Sequence, residues 1–93
     1  MLNLEKNFFK KRILIYGLGK SGLSTYNFLK KSNAISLFDD QIIAKKKIKD
    51  TSTTYKEIIK KEFDCIIISP GIDIKKCKLS RFLKKNYKKC LNL

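Results

Sequence analysis

The apolar positions of this chain fall into short runs, each long enough for one buried strand. Residues 13–16 (ILIY) and residues 65–68 (CIII) are uninterrupted, and residues 34–38 (AISLF) form a third run. Continuous apolar runs of this length are typical of strands that are covered on both faces of a parallel sheet. Residues 52–55 (STTY) are predicted to form a further short strand.

Segments with helical spacing of apolar residues separate these strands. The spacing predicts helices over residues 21–31, 42–49, 56–61 and 79–87. Strands that alternate with helices in this way imply right-handed crossovers. The sequence therefore predicts an α/β fold, a Rossmann-like parallel β-sheet flanked by helices on both faces. The 93 residues suffice for a single small domain, with a core of about residues 11–88.

The formal net charge of +14, from 22 basic and 8 acidic residues, raises the alternative of a small basic nucleic-acid-binding protein. Two features argue against it. All but two of the basic residues are lysines, whereas readers of bases and phosphates favour arginine. The lysines are also scattered along the chain in twos and threes, which is typical of solvated helix faces and helix ends.

The chemistry of the side chains excludes several classes of site within these residues. There is no histidine, so Ser-His and Cys-His nucleophilic sites are excluded. The three cysteines have no metal-ligand spacing and are expected to be free thiols. We expect no catalytic residue and no metal site. No apolar run approaches the ~20 residues of a membrane helix, and we expect a cytoplasmic protein.

The motif GLGKSG lies between the first strand and the first helix and matches G-x-G-x-x-G. Gly17 allows the tight turn, Gly19 lets a ligand approach the backbone, and Gly22 lets the helix pack on the strand. The amide groups of the first helical turn would then favour a diphosphate. The alternative is a structural turn that binds nothing.

Two further segments are predicted to meet this turn at the carboxyl edge of the sheet. Asp39 ends the second strand, 22 residues after Gly17, where a carboxylate either accepts a hydrogen bond from a ribose hydroxyl or forms an Asx turn. The SPGI loop follows the strand of residues 65–68, and Gly71 either offers its N–H to a ligand or forms a plain turn. From these residues alone, an NAD(P)-binding domain of a dehydrogenase or sensor fits as well as any other.

Three segments taken together, ILIYGLGKSGLSTYNFLKK, ISLFDD and DCIIISPGI, resemble the N-terminal domain of the Mur ligases, most of all the D-glutamate-adding members. The resemblance implies a domain that holds the UDP part of UDP-N-acetylmuramoyl-L-alanine in peptidoglycan biosynthesis. In that family ATP and Mg²⁺ belong to a central domain, so this chain is expected to bind no cofactor of its own. We therefore expect a fragment that is inactive alone and lacks the central and C-terminal domains.

The resemblance assigns the UDP moiety to nine residues of this chain: Gly17, Gly19, Lys20, Ser21, Gly22, Asp39, Asp40, Gln41 and Gly71. The glycine turn would hold the diphosphate with Lys20 and Ser21 at its tip, and Gly71 would touch the nucleotide from the SPGI loop. Asp39 and Asp40, which end ISLFDD, and Gln41, which follows it, would surround the uridine. Family members often carry Thr and Arg where this chain has Asp40 and Gln41, so backbone contacts carry over there better than side-chain contacts.

Overall fold

The computed structural model describes residues 8–41 and 54–93, and strands and helices alternate along this part of the chain. In chain order the elements are β1 (Arg12–Tyr16), α1 (Lys20–Leu29), β2 (Ala34–Phe38), α2 (Tyr55–Lys60), β3 (Cys65–Ile68), α3 (Ser80–Lys85), a 3₁₀ helix (Tyr87–Lys89) and β4 (Cys90–Asn92). No helix within the described residues is long and apolar enough to cross a membrane.

The strands form one sheet in the order β2-β1-β3-β4, and every neighbouring pair is parallel. Strand β1 is central, and its last residue, Tyr16, lies beside Phe38 of β2 and Ile68 of β3. The carboxyl ends of these three strands therefore meet at one edge of the sheet. The chain then turns away from β1 toward β2 on one side and β3 on the other, which is the arrangement that opens a crevice in Rossmann-like folds.

The two faces of the sheet carry separate hydrophobic clusters because successive side chains of a strand point to opposite faces. Leu14 and Ile66 belong to the cluster that also contains Ile58 of α2 and Leu83 of α3. The opposite cluster joins Ile13, Ile15 and Ile67 to Leu29 of α1. Helices cover both faces, and the predicted fold class is confirmed.

Most of the predicted elements that fall on described residues are present. Strands β1, β2 and β3 begin and end within one residue of the predicted bounds, and the helix predicted at 56–61 is α2. The helix predicted at 42–49 lies outside the described residues, as do residues 52 and 53 of the predicted short strand.

The prediction of a strand is wrong for residues 54 and 55, because Thr54 is the N-cap of α2 and Tyr55 is its first residue. The Thr54 hydroxyl accepts from the Glu57 amide at 3.3 Å and donates to the Glu57 carboxylate at 3.1 Å. This side-chain N-cap stabilises the helix start, and it outweighs the strand preference of the β-branched threonines.

The end of the chain also differs from the prediction. Helix α3 stops at Lys85, and Asn86 ends it by donating its side-chain amide to the carbonyl of Phe82 at 2.8 Å. The last residues form β4, which extends the sheet by pairing with β3. A three-residue strand in a polar context carries no periodic signal, so the sequence pattern did not reveal it.

Arg12 and Asp64 tie β1 to the segment that enters β3, at the amino edge of the sheet. The Asp64 carboxylate accepts from the Arg12 backbone amide at 2.7 Å and forms an ion pair with its guanidinium at 3.3 Å. The backbone hydrogen bond, followed by the side-chain hydrogen bond, lowers the pKa of Asp64 below its ordinary value.

This lowered pKa predicts how an Asp64→Asn variant depends on pH. A carboxylate whose pKa is lowered in the folded state contributes its full stabilisation when the pH is above its ordinary pKa. It loses that contribution as the pH falls through its folded-state pKa. The stability advantage of the native chain over Asp64→Asn should therefore shrink below about pH 4. Urea unfolding from pH 7 to pH 2.5 measures it, with Asp73→Asn as the control for removing an exposed carboxylate. An advantage that stays constant over this range would contradict the prediction.

Candidate functional site

A cleft of about 540 Å³ opens at the carboxyl edge of the sheet, between the glycine turn after β1 and the loop after β3. Its lining residues are Gly17, Leu18, Gly19, Lys20, Ser21, Asp39, Gln41, Ser69, Pro70, Gly71 and Ile72. Seven of the nine residues predicted for the UDP moiety are therefore brought together here. The other two, Gly22 and Asp40, do not line the cleft.

A second groove of about 580 Å³ lies between α3 and β4. It is lined mainly by Ile74, Leu83 and Tyr87 with Lys75 and Lys84, and it contains none of the nine predicted residues. It does not reach the amino end of α1 or the glycine turn. The cleft at the carboxyl edge is therefore the candidate site.

Gly17 and Gly22 are required by the fold itself. Gly17 has φ +99°, which side-chain-bearing residues rarely adopt, and a Cβ there would lie 2.8 Å from Cβ of Ser69. A Cβ on Gly22 would overlap the carbonyl oxygen of Gly17. Helix α1 packs so closely against the turn that there is no room for a side chain at Gly22, as the motif predicts.

Gly19 and Gly71 are different, because the fold does not need glycine at either position. A Cβ built on either residue has no described atom within 4 Å, and neither residue has positive φ. Gly19 itself has φ −75° and ψ −168°, an extended conformation that any residue adopts. A side chain at either position would occupy part of the cleft.

The amino end of α1 faces this space without an anionic group of its own. Gly19 is the N-cap residue, so no side chain caps the helix, and the first turn contains no acidic residue. Lys20, which is exposed, also lines the cleft. The unpaired amide groups and the positive end of the helix dipole favour an anion at this point.

Asp39 joins the end of β2 to the glycine turn. One of its carboxylate oxygens accepts from the Leu18 amide at 2.7 Å and the other from the Gln41 amide at 2.8 Å. The second bond is the Asx turn that the sequence left open as an alternative. A carboxylate has about four lone-pair positions, so a ribose hydroxyl can still donate to Asp39, and that contact stays a prediction.

Asp40 turns away from the cleft. Its carboxylate accepts from the hydroxyl of Tyr16 at 2.5 Å and from the amide of Lys78 at 3.2 Å. The Asp40 carbonyl also accepts from the Lys78 ammonium at 3.2 Å. The contact between Asp40 and a uridine stays a prediction, but its carboxylate is already used inside the fold.

Ser69 was not among the predicted site residues, yet it joins the two walls of the cleft. It is buried, and its hydroxyl donates to the carbonyl of Gly17 at 2.9 Å. Its amide donates to the carbonyl of Tyr16 at 3.0 Å. Its place directly after an apolar strand was the signal that could have revealed it, since the residue that follows a parallel strand lies beside the neighbouring turn.

The fold and the cleft together define a Rossmann-like α/β domain whose glycine turn opens at the carboxyl edge of a parallel sheet. Residues 11–89 match the family described as the Mur ligase MurD-like N-terminal domain, and the chain belongs to this family. The resemblance seen in the sequence is confirmed, and the membership places the chain in peptidoglycan biosynthesis.

A curated relative gives the same result. The chain is 31% identical over 86 residues to the UDP-N-acetylmuramoylalanine--D-glutamate ligase of Caldicellulosiruptor saccharolyticus. The match covers 75% of this chain and 18% of that ligase, so the chain spans less than a fifth of the relative's length. No solved structure matches the chain.

Proposed function

We propose that the cleft binds the UDP part of UDP-N-acetylmuramoyl-L-alanine, with the diphosphate at the amino end of α1 and the uridine beside Gln41. The observation that carries the proposal is the pair Gly19 and Gly71. Both line the cleft, from two different loops, and the fold requires glycine at neither. A ligand that lies against the backbone at both positions supplies the reason for their small size. The relative, by its name, acts on a UDP-linked substrate.

The proposed binding is weak because only part of the ligand is held. Charge-assisted hydrogen bonds contribute about 1.5–3 kcal/mol each. Two or three of them at the diphosphate amount to about 3–9 kcal/mol, and an association cost of at least about 4 kcal/mol leaves no more than about 5 kcal/mol, which corresponds to high micromolar affinity at best. We further propose that ATP-dependent ligation requires parts of the ligase beyond the 18% that this chain matches.

Titration of UDP into ¹⁵N-labelled chain tests the proposal. We expect high micromolar to millimolar affinity, with the largest amide shifts at Gly19, Ser21 and Gly71. Gly71→Ala is the matched variant, because its new methyl group meets open space in the free protein and should weaken UDP without changing the unfolding midpoint. The absence of shifts at these three amides at about 10 mM UDP would refute the proposal.

Two other ligands separate the alternatives. NADH that displaces UDP and binds more tightly would favour an NAD(P)-binding domain. Binding of oligonucleotides that falls steeply with salt, and that UDP does not disturb, would favour a nucleic-acid-binding protein.

A further inference from the structure

The neighbouring residues Asp39 and Asp40 hold the loop after β2 from opposite sides. Asp39 fastens it to the glycine turn through the Leu18 amide at 2.7 Å. Asp40 fastens it to the segment that enters α3, through the backbone amide and the ammonium group of Lys78. Gln41, which lines the cleft, follows directly and is bonded to Asp39. The position of this wall therefore depends on both attachments.

Tyr16 connects Asp40 to the centre of the sheet. Its side chain is fully buried, and its ring packs against that of Phe38 with 5.7 Å between the centroids. Its hydroxyl donates to Asp40 at 2.5 Å and accepts from the Leu79 amide at 3.4 Å. Burial and the hydrogen bond to Asp40 raise the pKa of Tyr16 well above its ordinary value, so this hydroxyl remains a donor at physiological pH.

We propose that Asp40 is a positioning residue for nucleotide recognition, which holds the Gln41 wall in place for the base through Tyr16 and Lys78. The inference rests on the proposed function, because it assumes that a uridine lies beside Gln41. It assigns the two carboxylates different tasks: Asp39 lies on the wall of the cleft, and Asp40 fixes that wall from behind. The diphosphate end of the cleft, built by the turn and α1, does not depend on Asp40.

This separation gives a test that distinguishes positioning from general stability. Affinities for UDP and for inorganic pyrophosphate are measured for the 93-residue chain and for Asp40→Ala. We expect UDP affinity to fall about tenfold, equivalent to about 1.4 kcal/mol, and pyrophosphate affinity to change less than about twofold. Asp40→Asn, which keeps an acceptor for the Tyr16 hydroxyl, should recover part of the UDP affinity.

Two further variants keep the test decisive. Tyr16→Phe retains the buried ring and removes only the hydroxyl, so it should show the same selective loss of UDP affinity. It replaces Asp40→Ala in the test if that variant fails to fold. Asp64→Ala is the matched control, since it removes a carboxylate that also accepts from a backbone amide, at the opposite edge of the sheet. It should leave the ratio of UDP to pyrophosphate affinity unchanged.

Hydrogen exchange of the Gln41 amide in the ligand-free chain gives a readout that does not require UDP binding. We expect this exchange to accelerate in Asp40→Ala relative to Asp64→Ala. Unchanged exchange, unchanged UDP affinity, or an equal loss of UDP and pyrophosphate affinity would each overturn the positioning role. If the native chain binds no UDP but Gln41 exchange accelerates in Asp40→Ala, the proposed function is refuted. The role of Asp40 in holding Gln41 in place is then still supported.

Discussion

Gly22→Ala is expected to destabilise the chain by about 3 kcal/mol or more, or to prevent it from folding. The added methyl carbon would overlap the carbonyl oxygen of Gly17, which is backbone and cannot rotate away. Relief requires α1 to move off the turn after β1, and overpacking of this kind costs about 1–3 kcal/mol or occasionally more. A chain of this length has about 5–14 kcal/mol of total stability, so the loss is a large part of it.

Gly19→Ala is the matched control, because it adds the same methyl group three residues earlier, at a site with no neighbour within 4 Å. It should cost less than about 1 kcal/mol, mainly through the weaker N-cap preference of alanine. Urea unfolding of both variants measures the difference. Equal unfolding free energies would show that α1 does not depend on the close contact.

Gly19→Val is expected to weaken UDP binding about 100-fold while the chain remains folded. The extended conformation of Gly19 suits valine, and its two methyl groups would occupy the space in front of the α1 amide groups. Loss of two charge-assisted hydrogen bonds at about 1.5 kcal/mol each corresponds to this factor.

The control for this substitution is Ser24→Val, which places the same side chain on an exposed position of α1 outside the cleft. Amide shift titrations give the affinities, and thermal unfolding confirms that both variants fold. If Gly19→Val binds UDP as tightly as Ser24→Val does, the phosphates do not lie at the amino end of α1.

The strands that build the site were predictable because their signal is local. Residues 13–16 and 65–68 are apolar without interruption, and parallel pairing then places the segments that follow them at one edge. Parallel pairing of these strands is therefore enough to predict that Gly17, Gly19 and Gly71 lie together.

The bonds from Asp40 to Tyr16 and Lys78 were not predictable in the same way. The sequence singles out Asp39 as the residue that ends the strand, but it gives no sign of the partners that Asp40 finds inside the fold. Here the Asx bond to Gln41 orients the Asp39 side chain toward the glycine turn. The Asp40 side chain then points to Tyr16, which lies 24 residues earlier in the chain. Contacts over such separations depend on the folded backbone and leave no periodic pattern.

The hydrogen bond from Ser69 to Gly17 has a consequence for the rate of binding. It links the two walls of the cleft directly, and the Ser69 amide anchors the same loop to the end of β1. The glycine turn and the loop after β3 therefore have little freedom to move independently, and the proposed nucleotide would meet a preformed surface between them. Association should be limited by encounter, without a slow conformational step, and differences in affinity among ligands should appear mainly in how long each one stays bound.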